Sequence, residues 1–166
     1  MPVHVRPALP ADMPTLSRLG ALLVSVHHEF DPDRFTAATA STPSAYADFL
    51  AAQAARPECV VLVAEEGGTV VGYAFGGVEG TDYMALRGPA GVIYDLIVES
   101  ERRRQGVGGL LLDRMIAALG DGGAPRVVLS TAARNEAAQA LFAGRDFRRT
   151  MIEMTRELES GDGHVA

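Results

Sequence analysis

The spacing of hydrophobic residues changes period several times along the chain, and each change predicts an element. Residues 3–7 alternate and close on Pro7, as a short first strand does. Over 11–28, Met13, Leu16, Leu19, Leu22, Leu23 and Val26 recur at helical spacing, with Asp12 ahead of Pro14 as the cap. Residues 29–35 read as a loop and 36–42 as a small, polar, mobile stretch. A second helix follows over 44–55, stopped by Pro57. Residues 60–65 and 69–78 are strands around Glu66-Gly67-Gly68, a hairpin signal.

The longer loop 79–89 exceeds what a tight hairpin needs, and such loops often carry function. Residues 91–98 are apolar nearly throughout, which predicts a central strand buried on both faces. An amphipathic helix over 106–119 places Val107, Leu110, Leu111, Met115, Ile116 and Leu119 on one side. After a turn at 120–125 come a strand over 126–131 and a helix over 135–143. Asn135 is that helix's cap and Gly144 stands at its end. Residues 147–157 alternate weakly and predict one last strand or two short ones. A hairpin followed by alternating strands and helices predicts a mixed α/β sheet in one domain, 1–158, with 159–166 a frayed tail.

The junction between the central strand and the helix after it carries the sharpest chemistry. Arg103-Arg104-Gln105-Gly106-Val107-Gly108, with Gly109 next, turns a strand into a helix N-terminus. Unpaired amides and the helix dipole favour an anion there, arginines add forked donors, and glycine admits a phosphate close to the backbone. No Gly-Lys-Ser/Thr follows, so it is not a P-loop, and it lacks the G-x-G-x-x-G spacing of a dinucleotide fingerprint. Two readings stand: a pyrophosphate cradle, or a plain strand–helix turn with solvated arginines.

Composition narrows the setting. Fifteen basic against twenty-one acidic residues give a net charge of −6, which argues against general nucleic-acid binding and suits a cationic small molecule. No apolar run approaches the length of a bilayer span, and the first residues carry no signal-peptide core. Cys59 is the single cysteine, so a reducing cytoplasm is the expected location and Cys59 reads as a small buried hydrophobe. His27-His28-Glu29 suggests a metal at first sight. Adjacent helical histidines point about 100° apart, however, and do not form the i, i+4 pair of a zinc site, so no metal is expected.

Asp95-Leu96-Ile97-Val98, then Arg103-x-x-Gly106-x-Gly108, then Asn135, Leu141-Phe142 and Phe147 resemble the GNAT superfamily of acyl-CoA-dependent N-acetyltransferases. The likeness is tight over residues 92–150 and follows the element order of nearly the whole chain. It implies a mainly antiparallel sheet of six to seven strands with about four helices, splayed between the fourth and fifth strands. It implies that the Arg103–Gly109 turn holds the pyrophosphate of acetyl-CoA. Leu96, Ile97 and Val98 would pair with pantetheine, with the Val98 N–H on the thioester carbonyl. Asn135 and Ala138 would contact the pantetheine arm, and Phe142 would lie near the sulfur. Family members often dimerise, so a homodimer joins the expected partners.

The reaction implied is direct attack by a neutral amine on the thioester. Asp95 is the first candidate base, the alternative being a buried structural carboxylate bonded to backbone. Glu79 is the second, against a solvated loop residue. Tyr94 is either a wall of the acceptor pocket or packing. Phe142 stands where many members have a Tyr that protonates the leaving thiolate, so Ser130 or Tyr94 would donate, or the thiolate leaves unassisted. The missing hydroxyl also motivates a non-catalytic acyl-CoA-binding module as the alternative function. His27, His28, Glu29, Phe30 and Tyr83 fall where this family often builds its acceptor pocket, or are variable surface.

Overall fold

The first strand and the hairpin expected from alternation appear as β1 (Val3–Pro7), β2 (Cys59–Glu66) and β3 (Thr69–Glu79) in a computed structural model that describes residues 1–159. Together with β4 (Ala90–Val98) and β5 (Val127–Leu129) they form one sheet in the order β1-β2-β3-β4-β5. The first three pairings are antiparallel; β4 and β5 are parallel.

Helices α1 (Met13–Phe30) and α2 (Thr42–Ala54) cover one face of the sheet, and α3 (Val107–Asp121) with α4 (Glu136–Ala143) covers the other. The α3 face is wholly apolar: Ile93 and Val98 of β4 pack with Leu111, Leu112, Met115 and Phe142. The α1/α2 face gathers Leu16, Leu19 and Leu50 over Val61, Val63, Tyr73, Phe75 and Ile97. Burial on both faces explains why β4 reads as a continuous apolar run. On α3, Leu112 is fully buried while Leu110 and Ile116 are only partly so, which rotates the apolar stripe slightly from the one expected.

Asp12 occupies the cap position of α1 without capping it. Its carboxylate turns back to accept from the Leu9 N–H (2.7 Å) and from Arg6 (2.7 Å). That guanidinium holds Asp12 below the usual carboxylate range, against the opposing effect of burial.

Five strands form among the described residues, where six to seven were expected. Residues 147–157 join no ladder, and Met151, Ile152 and Met154 are largely exposed. The weak alternation there predicted a strand, but β5 is only three residues long and offers a short edge to pair with. Within the segment, Glu153 forms an ion pair with Arg34. The expected tail, 159–166, lies outside the described residues apart from Glu159.

Candidate active site

Two irregularities in β4 build the site. The first is the end of its ladder with β5. Parallel pairing runs from Gly91↔Val127 to Ile93↔Leu129 and stops, so β4 from Tyr94 onward has a neighbour on one edge only. This is the splay expected between the fourth and fifth strands. Beyond the strand end, Glu99 donates to Val71 O (2.9 Å) across on the β3 side. Backbone amides alternate along a strand, so those of Val98 and Leu96 face the open edge.

The second is a register shift opposite Phe75 and Gly76, where β4 carries one residue more than β3. A bulge of this kind breaks the alternation of side chains. Tyr94 and Asp95, neighbours in sequence, therefore both turn to the α1/α2 face. The Tyr94 ring lies 4.9 Å from that of Phe75. Asp95 Oδ2 accepts from Tyr46 of α2 (2.7 Å) and Tyr73 of β3 (3.0 Å). The buried carboxylate is thus held by two phenols rather than by backbone. Burial raises its pKa above the ordinary carboxylate value, opposed by the Tyr46 and Tyr73 hydrogen bonds and by His27 nearby.

Asp95 Oδ1 has no partner among the described residues, yet no fully buried side-chain polar atom there lacks one, so Oδ1 reaches open space. Two cavities meet at this point. One, of 220 Å³, lies between the end of α1 and β4 and is lined by Leu23, Val24, His27, Phe35 and Thr36 with Tyr94 and Asp95. The other, of 620 Å³, lies between α2 and the β3–β4 pair and also reaches Tyr94 and Asp95.

Tyr46 reaches Asp95 because Gly20 of α1 leaves room for it. A Cβ at Gly20 would lie 2.2 Å from the Tyr46 ring. Tyr46, Tyr73 and Gly20 were not singled out from sequence, and nothing local in it marks them; a buried carboxylate's need for donors was the available signal.

At the other end of the open edge sits the Arg/Gly turn. Gly106 adopts φ +85°, the left-handed region that favours glycine, and a Cβ there would meet nothing within 4 Å. The first helical bond of α3 runs from Leu110 N to Gly106 O, leaving the amides of Val107, Gly108 and Gly109 without an intrahelical acceptor. No acidic residue occupies this first turn. Arg103 Nε donates to Val98 O (3.1 Å), tying the turn to the strand end. Arg104 is exposed and forms no ion pair among the described residues, whereas Arg102 is held by Glu66 (2.9 Å). Gln105 donates to Glu101 O. The Val107 side chain is in the core and Gly109 is buried against Arg145, so both offer backbone only.

The remaining candidates divide. Asn135 Oδ1 accepts from Ala138 N (3.1 Å) and caps α4 as expected. Phe142 is buried beside Phe147, their rings 5.9 Å apart. Ser130 is exposed just past β5. His27 and Glu79 each line a cavity, Glu79 also holding Arg87 (2.5 Å) and the Tyr94 hydroxyl. His28 is tied to Phe35 O (2.8 Å), Glu29 is exposed, the Phe30 carbonyl accepts from Arg134 (2.8 Å), and Tyr83 projects from the β3–β4 loop; none lines either cavity. Cys59 is half-buried on the wall of the larger cavity, and burial pushes its thiol upward. Among the described residues no helix is long and apolar enough to cross a membrane.

The fold matches solved structures at low identity. A mutant of the BH1408 protein from Bacillus halodurans superposes with a TM-score of 0.79 at 21% identity, over 93% of this chain and 99% of that one. Aminoglycoside N-acetyltransferase AAC(6')-Iy, in complex with CoA, superposes at 0.75 with 13% identity, over 96% of each chain. An acetyltransferase of Trypanosoma brucei does so at 0.68 with 19% identity, over 95% and 100%. No curated protein matches the sequence. The model of the acetyltransferase (GNAT) family matches residues 23–147, the stretch from the second half of α1 through α4 that includes the open edge of β4 and the Arg/Gly turn, and the chain therefore belongs to that family.

Proposed function

We propose that the protein is an N-acetyltransferase that uses acetyl-CoA and acetylates a primary amine by direct attack in a ternary complex. One observation carries the reading: the open edge of β4 joins an anion-binding helix start at one end to a buried carboxylate and two cavities at the other. AAC(6')-Iy binds CoA and, in a second complex, the bisubstrate analogue CoA-S-monomethyl-acetylneamine, on the same fold.

The residues present fit such a donor. The unpaired amides of Val107, Gly108 and Gly109, with Arg104 and Arg103 at the rim, suit a pyrophosphate, and the void over Gly106 leaves room for it. The outward amides of Leu96 and Val98 suit an amide-bearing arm laid along the edge as an added strand. The thioester supplies an activated acetyl group, and in this reading the outward Val98 N–H would polarise its carbonyl. Asn135 and Phe142 lie on α4, beyond the gap.

Asp95 is the base in this reading. Asp95 lines both cavities, and its raised pKa brings it closer to the task of accepting a proton from an ammonium. Tyr46 and Tyr73 fix its orientation. Placing the amine and the thioester together accounts for much of the rate. The alternative, a binding module without turnover, rests on Phe142.

Calorimetric titration with acetyl-CoA, for wild type and Arg104→Glu, tests the donor site, with thiol release over a panel of amines run alongside. Saturable binding weakened roughly ten- to a hundredfold by the charge reversal is expected. Absence of binding by folded wild type overturns the reading, and binding without thiol release from any amine leaves the binding module.

A further inference from the structure

The 620 Å³ cavity carries more chemistry than proton removal requires. Four aromatic rings line it, from three elements: Tyr46 and Phe49 of α2, Phe75 of β3 and Tyr94 of β4. They form one continuous series, with centroids 5.9, 5.7 and 4.9 Å apart. Phe49 and Tyr94 are each 44% exposed although both are locked in this series. A rigid group of aromatic faces left open to solvent inside a concave site is the chemistry of a ligand wall.

The charges around it restrict the ligand. Glu58 at the rim is held by Arg56, and Glu79 by Arg87 and the Tyr94 hydroxyl. Arg56 itself lines the cavity. Asp95, at the inner end, has a free oxygen. A polyamine or amino sugar with several ammonium groups would meet one open carboxylate, two carboxylates already engaged by arginines, and a row of four aromatic rings. A monoamine with a flat apolar body would stack on the rings and present its nitrogen to Asp95.

Resting on the acetyltransferase reading, we infer that this cavity is the acceptor's body subsite and that the acceptor is an arylalkyl monoamine. Phe49, the exposed ring of α2, sets the specificity.

The test compares 2-phenylethylamine and tryptamine with spermidine and neamine, on wild type, Phe49→Ala and Phe49→Tyr. Steady-state thiol release and direct calorimetric binding of 2-phenylethylamine are both read. The arylalkylamines are expected to show the higher kcat/KM by at least about tenfold. Phe49→Ala should raise their KM on the order of tenfold and leave the KM for acetyl-CoA alone, while Phe49→Tyr, which keeps the ring, restores it. Equal or better turnover of spermidine or neamine overturns the inference, as does failure of wild type to bind 2-phenylethylamine with or without CoA present. Amine binding that Phe49→Ala abolishes, in a protein that does not bind acetyl-CoA, would uphold the cavity's ligand class and remove the transferase reading instead.

Discussion

The two faces of β4 have opposite characters. Toward α3 the strand presents Ile93, Leu96 and Val98 to a layer of Leu111, Leu112, Met115 and Phe142. Toward α1 and α2 it presents Tyr94, Asp95 and Ile97, and the layer there includes two phenols hydrogen-bonded to a carboxylate. A regular strand would have sent Tyr94 and Asp95 to opposite faces. The extra residue in β4 prevents that. Both faces pack a core, but only the α1/α2 face holds a buried carboxylate, and a single bulge turns Tyr94 to that face beside it.

The largest expected effect breaks the chemical face. Asp95→Asn keeps the shape and removes the base, and kcat should fall about 10²–10⁴-fold with acetyl-CoA affinity unchanged. Thiol release and calorimetry on the same preparation check this. Activity within tenfold of wild type would make Asp95 a packing group.

The matching change on the other face is Leu111→Ala. Leu111 is fully buried, and truncation should cost about 2–5 kcal/mol in denaturant unfolding through the cavity left behind. In barrier height the loss at Asp95 spans a similar range, at about 1.4 kcal/mol per tenfold. The contrast lies in the readout: Leu111→Ala should leave kcat of the folded fraction near wild type. A large fall in kcat there would mean that the two faces are coupled through the strand.

Much of this division was legible in the sequence, but unevenly. The apolar period of residues 107–119 marked α3 and its face, and Asn135 marked the start of α4. The Arg103–Gly109 turn was legible as a strand-to-helix junction because it is local: a left-handed glycine and a helix start need only contiguous residues. The partners of Asp95 were not, because Tyr46 and Tyr73 stand 49 and 22 positions away, Tyr73 meeting it across the strand pair and Tyr46 through the space left by Gly20. Alternation over 147–157 was read as a strand, yet pairing needs an edge, and β5 ends after three residues. The acceptor candidates came from where the resembled family often builds its pocket, which names a segment and does not resolve neighbouring side chains. His27 faces the smaller cavity, while the next residue, His28, turns to a loop carbonyl.

Tyr46→Phe sharpens the comparison without removing either face. Burial raises the Asp95 pKa, while the Tyr46 hydroxyl, by bonding the charged form, holds it down. Deleting that hydroxyl should raise it further. In the proposed mechanism Asp95 works as the carboxylate, so activity is lost as pH falls through this pKa. The acid limb of kcat/KM should therefore lie above the ordinary carboxylate range in wild type and move to higher pH in Tyr46→Phe. The plateau at high pH should fall only a few-fold, since Tyr73 still holds the carboxylate. An acid limb that does not move would separate Asp95 from the observed proton transfer.

The smallest effect is expected at Phe142→Tyr, on the apolar side of the gap. If the leaving thiolate needed a proton at that point, restoring a hydroxyl would speed turnover substantially. A thiol with a pKa of about 8.5 leaves readily as the anion, so protonation in the rate-limiting step has little to add. The ring of Phe142 already packs in the α3-side core beside Phe147, and a hydroxyl there must also find a partner or lose stability. Phe142→Tyr should accordingly leave kcat within about twofold and lower stability by about 1–3 kcal/mol, read by thiol release and thermal unfolding. A tenfold rise in kcat would instead place an unmet need for a proton donor on the face that otherwise only holds the fold together.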